Sequence, residues 1–209
     1  MKLDVAALTQ RLQRATPAAS SVYGDDGAAA FTERQAAAVT PASVLVPIVA
    51  HPHELTVLFT RRTAQLKNHS GQVSFPGGRA EPGDPTPEFT ALRETEEEIG
   101  LPAGRVQVLA RLPEYLTRTG FRVTPVVGVV TPPLELVPDS REVDEIFEVP
   151  LAYLLDPRNH RRESRQLGGR LATYYVIEHH GRVIWGATAG MLINFYRHVA
   201  LESIAPPGG

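Results

Sequence analysis

The chain has 209 residues, a formal charge of −2, 43% hydrophobic and 21% charged residues, and no cysteine. That length suits one domain with a sizeable core, and the composition is that of an ordinary globular protein. The lack of cysteine excludes thiol catalysis and cysteine-based zinc sites, the near-neutral charge argues against a nucleic-acid surface, and no apolar run approaches the ~20 residues of a membrane span.

From the N-terminus, residues Leu3 to Ala15 read as an amphipathic helix with Leu3, Ala7, Leu8 and Leu12 on one side. The start of the chain shows no apolar signal core, so a cytoplasmic location is expected. Residues 16–41 are rich in alanine, glycine and turn formers and read as a surface excursion. Together with the first helix they form an N-terminal extension, 1–41, of a single domain spanning 1–209. Ser43 to Ala50 and Leu55 to Arg61 are strand-like, with His51-Pro52-His53 as the turn. Val106 to Leu116 and Phe121 to Val130 read as two more strands. Leu151 to Leu155 starts a short helix, and Leu171 to Glu178 with Arg182 to Trp185 forms a hairpin around His180-Gly181. Thr188 to Ile204 reads as a terminal helix capped by Thr188 or a neighbour, with Trp185 ending the preceding strand and packing, Gly186 turning the chain, and a frayed tail at 206–209. Met191, Leu192, Phe195 and Val199 form its apolar stripe, which suits either the core or a homodimer interface.

Between the first and second strand pairs lies the segment Gly71 to Gly100, GQVSFPGGRAEPGDPTPEFTALRETEEEIG. Its second half reads as a helix: Thr86 is a good N-cap, Pro87 suits the first helical position, and Gly100 is a natural stop. Phe89, Leu92 and Ile99 supply its apolar spacing. At roughly 100° per residue, Glu94, Glu97 and Glu98 share one flank while Glu96 points away. Like charges so placed cost ~0.2–0.5 kcal/mol per pair, which asks for a compensating cation. Several carboxylates beside Gly77-Gly78 make an oxygen-rich site for Mg²⁺ or Mn²⁺, with the Gly77 carbonyl as a further ligand. Arg93 either steadies a glutamate or forks onto a phosphate oxygen.

The run from Arg93 to Leu101 resembles the second half of the Nudix signature, that of the nucleoside-diphosphate-linked hydrolases. The first half departs from it: counting forward from Gly78 reaches Asp84 where glutamate is usual, with one extra residue before Arg93. That departure resembles the coenzyme A diphosphatase branch. So does the stretch from Leu58 to Arg62 and from Leu66 to Gly78, with Lys67 where arginine is usual. Thr117 to Pro125, Glu142 to Leu151 and Ile184 to Ala189 resemble the same branch. The resemblance implies a Nudix fold, an α/β/α sandwich around a mixed sheet. It also implies metal-dependent cleavage between the two phosphates of coenzyme A or its thioesters, giving 3′,5′-ADP and 4′-phosphopantetheine. Glu97 and Glu98 then serve as principal metal ligands, with Glu94 a ligand or the handler of the attacking water. In the superfamily the general base often comes from a later loop, for which Glu142 and Glu145 are candidates; lying three apart, they need not both face the site, and Glu142 is preferred.

Arg61, Arg62, Lys67 and His69 are candidate phosphate ligands, as are Gly78 and, more remotely, Arg118 and Arg122. The basic stretch from Arg158 to Arg170 reads either as a solvated loop or as a further approach for phosphate. Two other functions stay open: a broader hydrolase acting on ADP-ribose or dinucleotides, and a non-catalytic nucleotide-binding module. The expected partner in each case is a small molecule rather than a nucleic acid or a membrane.

Overall fold

The computed structural model describes residues 3–14, 23–24, 39–64, 71–167 and 170–200. Lys67, His69, most of the 16–41 excursion and the 206–209 tail lie outside the described residues.

Helix α1 (Val5–Arg14) buries Leu8 and Leu12, and Asp4 starts it by accepting the Ala7 amide at 2.8 Å. Strand β1 (Tyr23–Gly24) is followed by the two long central strands, β2 (Thr40–Ala50) and β3 (Leu55–Arg62). Next come β4 (Val73–Ser74), β5 (Gly77–Arg79) and helix α2 (Pro87–Ile99). Strands β6 (Val106–Arg111), β7 (Tyr115–Leu116), β8 (Phe121–Val130) and β9 (Val143–Pro150) lead to the single turn α3 (Leu151–Leu154). Strands β10 (Arg161–Leu167), β11 (Arg170–His179) and β12 (Arg182–Trp185) precede helix α4 (Gly186–Ala200).

The main sheet runs β1-β7-β8-β2-β3-β4, with β5 added to β2, β6 to β8 and β9 to β3. It is mixed: β2 lies parallel to β8 and antiparallel to β3. Side chains alternate across it, as the period of two requires. Leu45, Val49, Leu58, Val126 and Val130 face helix α2, where they bury Ala91 and Ile99. Ile48, Val57, Phe59, Val127 and Val129 face the other way, onto α1, α4 and the inner side of the β10-β11-β12 sheet. Phe59 stacks between Phe75 and Phe147 at 5.1 and 5.7 Å. The architecture is the expected α/β fold, a mixed sheet flanked by helices.

Four local readings change. The strand expected over 106–116 breaks into β6 and β7, because Pro113 has no amide to continue a ladder. The basic stretch at 158–170 is largely strand β10, paired antiparallel with β11 from Arg161↔Val176 to Leu167↔Arg170. The described side chains of β10, 161–166, are all exposed, so no apolar alternation marked it as a strand. Helix α4 begins at Gly186, and the Thr188 hydroxyl donates to the Val73 carbonyl at 3.1 Å instead of capping; Trp185 is 40% exposed beside Tyr174. On α2 the buried face is Thr90, Ala91, Thr95, Glu98 and Ile99, while Phe89 is exposed. Met191, Leu192, Phe195 and Val199 are core.

Candidate active site

Helix α2 is set by local signals. The Thr86 side chain accepts the Phe89 amide at 3.2 Å, Pro87 opens the first turn, and Gly100 closes the helix at φ 68°. The helix C-terminus is fastened to the loop that precedes β9. The Val137 amide donates to the Ile99 carbonyl and the Asp139 amide to the Glu98 carbonyl, each at 2.9 Å. Carbonyls that a helix end leaves unpaired are thereby satisfied by the loop that carries Glu142.

Beside the helix, β5 pairs with β2 through Val44↔Gly77 and Ser43↔Gly78. Close approach requires glycine at Gly77, and at Gly78 it leaves the Glu94 carboxylate its place. A Cβ on Gly77, which has φ 145°, would collide with the Ser43 carbonyl, and one on Gly78 would collide with the Glu94 carboxylate. The Gly77 amide donates to Glu98 Oε2 at 3.0 Å. The Gly-Gly turn and the acidic flank are thus in contact, twenty-one residues apart in sequence for Gly77 and Glu98.

The irregular loop before α2 has a structural account. Asp84 accepts from Arg93 Nε at 3.2 Å and Nη2 at 3.0 Å, from the Glu81 amide at 3.0 Å, and from Thr90 Oγ1 at 2.9 Å. These donors, the Arg93 hydrogen bonds first among them, hold the Asp84 carboxyl well below the usual range. Arg93 is held as firmly from the other side, donating also to the Arg79 carbonyl, Glu94 and Glu97 at 3.0–3.3 Å. Of the two roles open to Arg93 in the sequence, the geometry is that of steadying glutamates.

Glu98 is 6% exposed. Burial pushes its carboxyl up to about 7, with Glu142 and Glu94 adding to the rise and the Gly77 amide and Arg62 opposing it. Arg62 Nη1 lies 3.5 Å from Glu98 Oε1 and its Nη2 3.9 Å from Glu142 Oε2. Burial also raises Glu94, against the pull of Arg93. Glu94, Glu97, Glu98 and Glu142 line one cleft of about 310 Å³ together with Asp139 and Arg141.

Other candidates stand apart from that cleft. A bulge shifts the register between Arg61 and Arg62, so that Arg61 pairs with Glu145 and Arg62 with Val143. Arg61 engages Asp144 at 2.8 Å and Glu145 at 3.2 Å, while Glu145 also accepts from Arg182 at 2.5 Å. Glu145 lines a separate hollow of about 600 Å³ with His51, Leu134 and Leu136. Arg118 is exposed in the β7–β8 turn, and Arg122 lies on β8 at 3.7 Å from Glu114; neither lines the cleft. Conversely, Asp139 and Arg141 line it without having been singled out by sequence. They sit three residues and one residue before Glu142, a proximity that was the available signal.

The donor chemistry fits a hard divalent cation. Glu98 is a buried carboxylate facing two like charges, a placement that an ion of opposite charge would relieve. Among the described residues no three acidic or imidazole groups already converge on one ion position. Arg93 draws Glu94 and Glu97 towards itself, and Arg62 leans on Glu98.

The NUDIX domain profile matches residues 39–167. An uncharacterized Nudix hydrolase, NudL, of Photorhabdus laumondii is 42% identical over 158 residues, 76% of this chain and 84% of that protein. The protein of the same name from Yersinia enterocolitica is 41% identical over 76% of this chain and 80% of its own length. Among solved structures, the Nudix hydrolase RenU of M. smegmatis superposes with a TM-score of 0.52 at 23% identity, covering 81% of this chain and 90% of that one. A MutT/nudix family protein from Enterococcus faecalis gives 0.50 at 12% identity, over 97% and 76%. With the acidic helix, the Gly-Gly turn and the profile all falling within one stretch, the chain belongs to the Nudix hydrolases, enzymes that cleave nucleoside-diphosphate-linked substrates and generally use divalent metal ions.

Proposed function

We propose that this protein hydrolyses the diphosphate bridge of a nucleoside-diphosphate-linked metabolite, and that coenzyme A or its thioesters are that metabolite. The observation that carries the general reaction is the convergence of Glu94, Glu97, Glu98 and Glu142 on one cleft beside Gly77-Gly78. Glu97 and Glu98, with Glu94 and the Gly77 carbonyl, are the groups to hold Mg²⁺ or Mn²⁺. Such an ion draws charge from phosphoryl oxygens and lowers the pKa of bound water. Glu142 approaches the cleft from the loop side, with Arg62 at 3.9 Å from its carboxylate and Arg141 next to it in the cleft lining; it is the residue to accept the water proton. Arg93 and Asp84 position Glu94 and Glu97. Glu145, tied to Arg182 and Arg61 outside the cleft, has no part in this reaction.

The coenzyme A assignment rests on the sequence between Leu58 and Gly78 and on the Asp84 loop. A broader substrate range, including ADP-ribose and dinucleotides, has its own support. Arg61 and Arg62, candidates for the 3′-phosphate, are engaged with carboxylates, and Arg122 lies off the cleft. A Mg²⁺- or Mn²⁺-dependent hydrolysis panel with coenzyme A, dephospho-coenzyme A, ADP-ribose and NADH, with products identified by mass, separates the readings. Turnover that falls sharply without the 3′-phosphate supports coenzyme A, and comparable turnover without it supports the broader range. No metal-dependent turnover of any of the four would leave a nucleotide-binding module and overturn the assignment.

A further inference from the structure

The cleft poses an electrostatic difficulty for its own substrate. A diphosphate must settle among Glu94, Glu97, Glu98, Glu142 and Asp139, and the cations nearest these groups are already engaged. Arg93 is divided among Asp84, Glu94, Glu97 and the Arg79 carbonyl, and is only 19% exposed. Arg62 lies between Glu98 and Glu142. Arg141 is engaged on one edge only, by Asp139; among the described residues it is the one basic residue lining the cleft, and 87% of its side chain is exposed.

Its placement is built rather than incidental. The Asp139 carboxylate accepts from Arg141 Nε at 3.0 and 3.1 Å, from Nη2 at 2.6 Å, and from the Arg141 amide at 2.9 Å. Asp139 itself is fixed by backbone at both ends. Its amide donates to the Glu98 carbonyl, and its carbonyl accepts from the Glu142 and Val143 amides at 2.9 and 2.8 Å. One residue therefore ties the end of the acidic helix, the loop bearing Glu142 and the guanidinium into a single unit. Nη1 of Arg141 takes no part in the fork to Asp139 and donates no hydrogen bond to a described residue. A planar guanidinium held on one edge presents its other edge to an anion, the geometry suited to a phosphate.

We propose that Arg141 is a substrate-binding residue that takes the diphosphate at the mouth of the cleft, with Asp139 positioning its fork. This rests on the hydrolase reading of the same cleft and makes the 137–142 loop a contributor to affinity as well as the carrier of Glu142. Because the contact is to the bridge itself, it serves every diphosphate substrate and does not select for a 3′-phosphate.

The test compares wild-type protein with Arg141→Ala, Arg141→Lys and Asp139→Asn. Calorimetric titration in Mg²⁺ with α,β-methylene-ADP, a diphosphate that cannot be cleaved at the bridge, reads binding apart from turnover. Arg141→Ala is expected to weaken binding about tenfold, the scale of losing one charge-assisted hydrogen bond. Arg141→Lys should retain part of the affinity, and Asp139→Asn should weaken it less than Arg141→Ala does. In steady-state assays the same loss should appear in KM, with kcat nearly unchanged, for coenzyme A and ADP-ribose alike. Unchanged α,β-methylene-ADP affinity in Arg141→Ala, or a KM effect confined to the substrate carrying a 3′-phosphate, would overturn the proposal. If Arg141→Ala does not fold, the Arg141→Lys titration decides on the same criteria. Wild-type protein that binds the analogue but hydrolyses neither substrate would defeat the hydrolase reading and leave the binding comparison intact.

Discussion

Glu98 is a buried glutamate whose carboxyl sits near 7 instead of its ordinary 4.5, chiefly because of burial. Between those values the folded chain binds more protons than the unfolded one, so stability falls as the pH rises through that window. The contribution is fully present below pH 4.5 and is lost by the time the pH passes about 7. Its size is on the order of 2–3 kcal/mol for a shift of this kind. In EDTA, urea unfolding of the wild type should therefore show a decline between pH 4.5 and about 7 that Glu98→Gln lacks. Parallel curves for the two proteins would show that Glu98 does not titrate as placed. The same variant should lower metal-dependent hydrolysis by ~10²-fold or more with its fold intact, the scale of losing one preorganised charge; near-wild-type turnover would remove Glu98 from the metal site. Residues like this one were legible in the sequence because helical spacing alone places Glu94, Glu97 and Glu98 on one flank. Arg61 and Arg62 were not separable that way. Adjacent strand residues alternate in direction, and a bulge opposite them decides which partners each one meets.

Helix α2 and the loop before β9 act as one unit, joined at Gly100. Gly100 occupies the left-handed region at φ 68°, and a Cβ there would approach the backbone and side chain of Val137 at 3.1–3.2 Å. Gly100→Ala should therefore cost about 1–2 kcal/mol, from the backbone conformation together with the crowding. It should also displace the loop that carries Glu142, lowering kcat beyond what the stability loss explains. A change in urea midpoint with unaltered kcat would show that the loop is indifferent to the helix end. The bounds of α2 could be read from sequence because its caps are local: Thr86, Pro87 and Gly100 lie within or beside the helix. Strand β10 could not, since its pairing with β11 is its main support and its exposed charged side chains carry no pattern of burial. Asp139 was missed for a related reason. What it does depends on backbone bonds to Glu98 and Glu142, and no residue type announces those.

Across the whole molecule, the two faces of the main sheet do different work. One is closed by α1, α4 and the small sheet, with the Phe75-Phe59-Phe147 stack at its centre. The other carries α2 and, at its edge, a cleft in which carboxylates outnumber cations. Stability is accordingly coupled to whatever neutralises that cleft. A ligand that binds only the folded state adds RT ln(1 + [L]/Kd), about 2.7 kcal/mol at a hundred times Kd. For a domain of this length each kcal/mol moves Tm by roughly 2–4 °C, so saturating Mg²⁺ at pH 8 should raise Tm by roughly 5–10 °C. General screening of surface charge would respond to any salt, so KCl at matched ionic strength is the control. The double variant Glu97→Gln/Glu98→Gln should start from a Tm at least as high as that of the wild type in EDTA, because it has lost like-charge repulsion, and should lose most of the Mg²⁺ shift. A Mg²⁺ response equal to that of KCl, or one that survives in the double variant, would place the ion elsewhere and detach the acidic helix from the chemistry proposed for it.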